Sequence, residues 1–250
     1  MIHDRWVKAA AAGQVSGAVL LNLSAAFDLV DPSILLQKLR VYGLDKDMIQ
    51  WIESYLTERR QGVWIDHVLS EYLPCDVGVP QGSILGPLLF LIFYNDLPYS
   101  LQCGIDAYDD DSTMTASSAN TQEIGQVLTA SCTIVSNWMW ANKLKLNAGK
   151  THFLTVGTAE RLRTLQDTVD VQMEGITLTE GPEKCELLLG IQVQANLKWQ
   201  AQFKLLHEKL QTRLVGLMKL KFIVETSTMK TITEGLFNSV LVNCLPLFGG

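Results

Sequence analysis

Three consecutive aspartates, Asp109-Asp110-Asp111, interrupt two runs of strand-forming residues, and Asp106 stands just before them. Adjacent carboxylates repel one another, so they cannot enter an apolar interior without a counter-charge. The flanking segments, residues 103–108 and 112–116, are apolar or small and read as the two arms of a hairpin. A chain built this way must bury the arms and present the bend to water or to a cation. Hard carboxylate oxygens in a row suit Mg²⁺ or Mn²⁺. The plainer alternative is a solvated acidic turn that holds nothing.

The surrounding pattern alternates strands and helices. Residues 18–23 form a short, nearly unbroken apolar run ending in Asn22-Leu23, which predicts a buried strand. Asp31-Pro32 supplies an N-cap and first-turn proline for a helix carrying Ile34, Leu35, Leu36 and Leu39 as far as Gly43. A second helix is expected from about Lys46, with Ile49, Ile52, Tyr55 and Leu56 on one face. Residues 61–68 and 72–77 have strand character, and the latter lead into Gly78-Val79-Pro80-Gln81-Gly82. Ser83 is placed to cap a helix through Leu88, Leu89, Ile92 and Phe93.

After the hairpin, Asn120 and Glu123 have capping-box spacing ahead of a long helix with Ile124, Val127, Leu128, Ile134 and Trp138. Strands are expected over residues 151–156 and 187–193, and helices over 200–220 and 229–242. The composition changes near residue 195. From Lys198 onward seven basic residues face three acidic ones, so the preceding body carries −10 of a chain whose net charge is −6. An acidic body argues against a strong unspecific grip on nucleic acid. The basic tail reads either as a polyanion contact or as an ordinary solvated helix face.

Other classes of chemistry find little support. The five cysteines are scattered without a CxxC pair, which argues against a disulfide scaffold and a zinc site. His3, His67, His152 and His207 are dispersed, and no P-loop sequence occurs. The longest apolar stretch, residues 84–94, is interrupted by Gly86 and Pro87 and is too short to span a bilayer. The expectation is a soluble intracellular protein, cytoplasmic or nuclear, without a membrane segment. The Gly-Pro-rich loop 78–87 exposes backbone N–H groups ahead of a helix, suited to a phosphate or a base edge; a plain turn before a capped helix fits as well.

The order of the pieces is more specific than any one of them. Asn22-Leu23-Ser24-Ala25-Ala26-Phe27-Asp28, then Gly78-Val79-Pro80-Gln81-Gly82-Ser83-Ile84-Leu85-Gly86-Pro87, then Tyr108-Asp109-Asp110-Asp111 closely resembles the reverse transcriptases of non-LTR retrotransposons. Trp138, Asn142, Leu144, Leu146, Asn147, Lys150 and Thr151 continue the likeness, as do Leu189-Gly190-Ile191, Leu197 and Trp199. The resemblance implies an α+β fold, a right-hand polymerase palm with a partial helical thumb and the fingers largely absent. Palm and fingers remnant would occupy residues 1–195, and a truncated thumb-like region 196–250.

It further implies RNA-directed DNA polymerisation from an RNA template, a DNA primer and deoxynucleotides, with Mg²⁺ or Mn²⁺ as cofactor. By the same resemblance Asp110 and Asp111 are the metal-binding carboxylates, and Asn22 stands where the first bridging aspartate belongs. Phe27 matches the gate under the incoming sugar. Gln81, Gly82, Ser83 and Tyr108 match positions against template and nucleotide, and Lys150 matches a proton donor to the leaving pyrophosphate. Leu189, Gly190 and Trp199 correspond to a primer grip, or else to simple core. A neutral amide at position 22 implies a degenerate or inactive copy. Two alternatives stay open: an active polymerase completed by a further segment, and a non-catalytic RNA- or protein-binding module that kept the palm.

Overall fold

The computed structural model describes residues 2–23, 25–108, 111–147, 151–180 and 184–243. Contacts divide the chain into two units, Met1–Glu180 and Gly181–Gly250. The first unit opens with a helix, α1 (Ile2–Ala11), and the expected strand, β1 (Val15–Asn22). Two helices follow, α2 (Pro32–Val41) and α3 (Lys46–Leu56), each started by an aspartate. The Asp31 carboxylate accepts from the Ser33 and Ile34 amides at 2.9 and 3.2 Å. That of Asp45 accepts from Met48 at 2.8 Å. These contacts satisfy amides that a first helical turn leaves without partners.

The two strands expected over 61–68 and 72–77 are instead a narrow ribbon. Its pieces are β2 (Arg60–Gln61), β3 (Trp64–Ile65), β4 (Val68–Leu69) and β5 (Leu73–Pro74). β2 pairs with β5, and β3 with β4. The ribbon doubles back because Asp66 and His67 both take left-handed backbone angles, φ 46° and 66°.

Next come α4 (Leu85–Tyr94), the hairpin arms β6 (Gly104–Tyr108) and β7 (Asp111–Ser118), and α5 (Thr121–Ala141). Asn120 caps α5 as expected, accepting from the Gln122 amide at 2.9 Å. Glu123 does not close a capping box on the Asn120 amide. It accepts from the Ser118 hydroxyl at 2.6 Å, and that hydroxyl in turn accepts from the Asn120 amide. The unit ends with β8 (His152–Val156), α6 (Ala159–Thr164) and an unforeseen hairpin, β9 (Val171–Met173) with β10 (Ile176–Leu178).

The main sheet has the order β6-β7-β1-β8, with every neighbour antiparallel. Helix α5 lies on it through Ile124, Leu128, Cys132, Val135 and Met139, all buried and spaced along one helical face. The approach is close at Gly17 of β1. A Cβ there would stand 2.7 Å from both Ile124 Cγ2 and Leu128 Cδ1, so any larger residue would force these buried side chains to shift. Lys38 of α2 ties three helices together. Its Nζ donates to Phe93 O at 2.6 Å and to Asp96 at 2.8 Å, and lies 4.6 Å from the Phe93 and Trp138 ring centres. Trp138 completes the knot by donating its indole N–H to Asp96 at 3.1 Å.

The second unit begins with β11 (Cys185–Leu188) and β12 (Ile191–Gln194) rather than one strand over 187–193. Leu189 and Gly190, at φ 48° and 80°, turn the chain between them. Helix α7 (Gln200–Leu220) has the expected ends. The last expected helix is broken into α8 (Thr226–Thr233), a π turn at Glu234–Asn238, and α9 (Ser239–Asn243). The β11–β12 hairpin belongs with α7, because Gln202 accepts from the Gln192 amide and Gln194 from that of Ala201, each at 2.8 Å. The contact boundary therefore falls at 180/181, ahead of the composition change near 195. Among the described residues no helix is long and apolar enough to cross a membrane.

Candidate active site

The site-bearing motifs meet at one end of the main sheet. β1 ends at Asn22, β7 starts at Asp111, and the register sets these two residues directly opposite one another. Across the hairpin Asp111 faces Tyr108. Tyr108, Asp111 and Asn22 thus form a row over three neighbouring strands. Directly opposed residues of an antiparallel pair direct their side chains to the same face. Tyr108 is 64% exposed, Asp111 is exposed and Asn22 half-buried. The segment after α5 joins the row, since Asn147 N donates to Asn22 O at 3.1 Å and Leu146 bridges Leu23. Asp110 and Lys150, two expected members of the site, lie outside the described residues, as does Asp109 beside them.

The acidic run is smaller than the sequence makes it look. Asp106 is ion-paired with Arg5 of α1, which takes its charge out of the cluster. One residue beyond Asp111, the buried Ser112 hydroxyl accepts from Tyr94 OH at 2.8 Å. Burial, only partly offset by this bond, pushes the Tyr94 phenol up to about 12, so it stays protonated and donating at neutral pH.

A second group forms where the turn after β1 meets the loop before α4. Phe27 stacks on Phe90 of α4, with ring centres 4.5 Å apart. Gln81 donates from its amide nitrogen to Asp28 at 2.7 Å. Gly82 takes φ +77°, a left-handed conformation that favours glycine. The Ser83 hydroxyl donates to Pro80 O and accepts from the Gly86 amide at 3.0 Å, capping the helix as expected. Beside this loop opens a cleft of about 1010 Å³, whose lining includes Asp28, Arg59, Arg60, Tyr72 and Gln81. The sequence pattern does not single out the two arginines; adjacent basic residues in so acidic a body are the signal that points to them.

Of the two readings of Leu189-Gly190, the simple-core alternative does not hold in the second unit. Leu189 is 52% exposed at the tip of the β11–β12 turn, so it is not a core residue.

The donor set that the described residues bring to the strand ends is one carboxylate, Asp111, and one neutral amide, Asn22. Both offer hard oxygens, but together they carry a single charge. Among the described residues no three of His, Cys, Asp and Glu gather to hold a metal ion.

The family model for reverse transcriptase (RNA-dependent DNA polymerase) matches residues 2–206. The chain belongs to the reverse transcriptase family. It is 28% identical over 243 residues to a probable RNA-directed DNA polymerase from transposon BS of Drosophila melanogaster, covering 91% of this chain and 25% of that protein. It is also 28% identical to the RNA-directed DNA polymerase from the mobile element jockey of Drosophila funebris, over 80% of this chain and 22% of that one. The chain therefore spans about a quarter of the length of these relatives, whose mobile-element origin agrees with the non-LTR resemblance of the motifs.

Among solved structures it is similar to telomerase from Candida albicans in complex with a TWJ fragment of telomeric RNA. The TM-score is 0.54 at 12% identity, over 96% of this chain and 44% of that one. Telomerase from Candida tropicalis in a like complex gives a TM-score of 0.53 at 11% identity, over 99% and 42% of the two chains. These likenesses bear out the expected α+β, palm-like fold of the chain.

Proposed function

We propose that this chain is the polymerase part of a mobile-element reverse transcriptase, built to extend a DNA primer on an RNA template and crippled by Asn22. The observation that carries the reading is the row of Tyr108, Asp111 and Asn22 at the strand ends. In the reaction a primer 3′-hydroxyl oxygen attacks the α-phosphorus of a deoxynucleoside triphosphate. A new P–O bond forms, the bond to pyrophosphate breaks, and the hydroxyl proton passes to water. Mg²⁺ or Mn²⁺, held by Asp110 and Asp111, would supply the positive charge that the hydroxyl and triphosphate need.

The chain's own residues do the rest. Phe27, stiffened by its stack on Phe90, forms the floor under the incoming sugar. Gln81, Gly82 and Ser83 face template and nucleotide from a loop fixed to Asp28 and to α4. Lys150 is assigned the proton that the leaving pyrophosphate takes up. Asn22 gives the strand end a neutral oxygen where the reaction wants a charge. Losing one bridging carboxylate costs several kcal/mol of transition-state stabilisation, about a thousandfold or more in rate.

Primer extension on an RNA template with deoxynucleotides and Mg²⁺ tests this reading, comparing the natural chain with Asn22→Asp. The natural residue should give no detectable product, and Asn22→Asp should restore measurable synthesis. Robust synthesis with Asn22 in place would overturn the inactive reading. Metal-independent RNA binding by both forms, without synthesis by either, would favour a binding module.

A further inference from the structure

The loop 78–83 hangs between two anchors. On one side its amides are taken by the turn after β1: Gly78 N donates to Val30 O at 2.7 Å and Val79 N to Phe27 O at 2.9 Å. Nothing separates the two segments, for a Cβ on Gly78, whose φ is +82°, would lie 2.8 Å from the Cα and carbonyl oxygen of Asp28. On the other side, consecutive carbonyls face a single side chain. Nη2 of Arg59 donates to Val77 O at 2.9 Å and to Gly78 O at 2.5 Å. Its Nε donates to Leu56 O, at the last residue of α3, at 3.0 Å. The Arg59 carbonyl adds a fourth tie by accepting from Cys75 N at 2.8 Å.

The chemistry explains why an arginine stands here. A helix end and an irregular loop both leave carbonyl oxygens without ladder partners. A guanidinium presents several N–H donors in fixed directions within one plane, and so satisfies all three oxygens at once. A lysine ammonium is a point charge on a flexible stem and does not hold three oxygens in fixed directions.

We propose that Arg59 is a positioning residue that latches the loop onto the end of α3 and thereby sets Gln81 against Asp28 at the mouth of the cleft. The inference rests on the reading of this loop as the template and nucleotide side of a polymerase site. Arg59 acts through the Val77 and Gly78 carbonyls and through Gln81. Its loss loosens the loop while the sheet, closed by α5 on another face, keeps its packing.

Amide hydrogen exchange on the whole chain tests the latch in Arg59→Ala and Arg59→Lys. The Gly78 and Val79 amides should exchange about tenfold faster or more, the scale of a lost charge-assisted bond, while amides of β1 and α5 keep their protection. Millimolar methylguanidinium should restore part of the protection in Arg59→Ala and none in Arg59→Lys. Unchanged exchange at Gly78 and Val79, or equal loss through β1 and α5, would overturn the latch. In an Asn22→Asp chain that synthesises DNA, Arg59→Lys should raise the KM for deoxynucleotide more than it lowers kcat. A fall in kcat with KM unmoved would overturn the positioning role. If Asn22→Asp yields no synthesis, the polymerase reading fails on its own, and the exchange pattern still decides the latch.

Discussion

A carboxylate placed at position 22 should weaken the fold until a cation arrives. Asn22 stands directly opposite Asp111 at the end of the β1–β7 ladder, and such pairs have Cβ atoms about 5 Å apart. Two unit charges at about 5 Å repel by about 1 kcal/mol in a water-like medium and about 3 kcal/mol at an effective dielectric near 20. Asp111 is exposed and Asn22 half-buried, so the lower figure applies. About 1 kcal/mol lowers the melting temperature of a domain this size by about 2–4 °C. The natural amide avoids this penalty.

Mg²⁺ should reverse the loss by mass action. An ion at about ten times its Kd returns about 1.4 kcal/mol, provided it binds only the folded chain. The penalty is electrostatic, so it should also shrink with added salt. The assay is thermal melting of the natural chain and Asn22→Asp, first in EDTA and then across a Mg²⁺ titration. The variant should melt lower in EDTA and gain more from Mg²⁺. Equal melting in EDTA together with equal Mg²⁺ shifts would refute the reasoning, because it would mean that the side chains at 22 and 111 do not face each other.

Gly17→Ala should lower stability by about 1–3 kcal/mol in urea unfolding, because its Cβ would overlap Ile124 and Leu128 of α5 at 2.7 Å. Burial lowers the pKa of Lys38, with Asp96 opposing the shift, so the folded chain releases that proton before the unfolded chain does. Stability from this group therefore rises as pH climbs through the folded pKa toward the ordinary 10.5, and Lys38→Met should flatten the rise in alkaline melting curves. A primer–template duplex should bind weakly, chiefly through the lysines of α7, and lose affinity steeply with salt in fluorescence anisotropy. Submicromolar binding indifferent to salt would contradict that expectation.

What the sequence revealed and what it concealed follow from the range of the forces involved. β1 was legible because its apolar run is nearly continuous, and α2 because Asp31-Pro32 is a local start signal. The ribbon over 60–74 was not, because its reversal uses Asp66-His67, neither of them glycine, in left-handed angles that neighbouring side chains do not announce. The turn at Leu189-Gly190 was signalled by a single glycine inside an apolar run, which read as one continuous strand. The row of Tyr108, Asp111 and Asn22 depends on a register between strands nearly ninety positions apart, and motif order implies roles without supplying that register. Asp106 looked like part of the acidic cluster because Arg5, its partner, is a hundred residues away in the chain. Arg59 shows its purpose only once the loop that it grips has been folded against it.

The bond between Tyr94 and Ser112 makes α4 a spacer bar. One end of the bar is capped by Ser83, next to the loop; the other is bolted to the hairpin a single residue from Asp111. At 1.5 Å per residue, its ten residues span about 15 Å between the loop and the hairpin. That length cannot be tuned at one end alone. A loop transplanted from a relative would arrive at the wrong height unless the bar and both its fastenings, at 94 and 112, travelled with it. In an exchange of segments between members of the family, residues 59–112, which also carry the Arg59 latch, should therefore travel together, and breakpoints inside α4 are the ones that should fail.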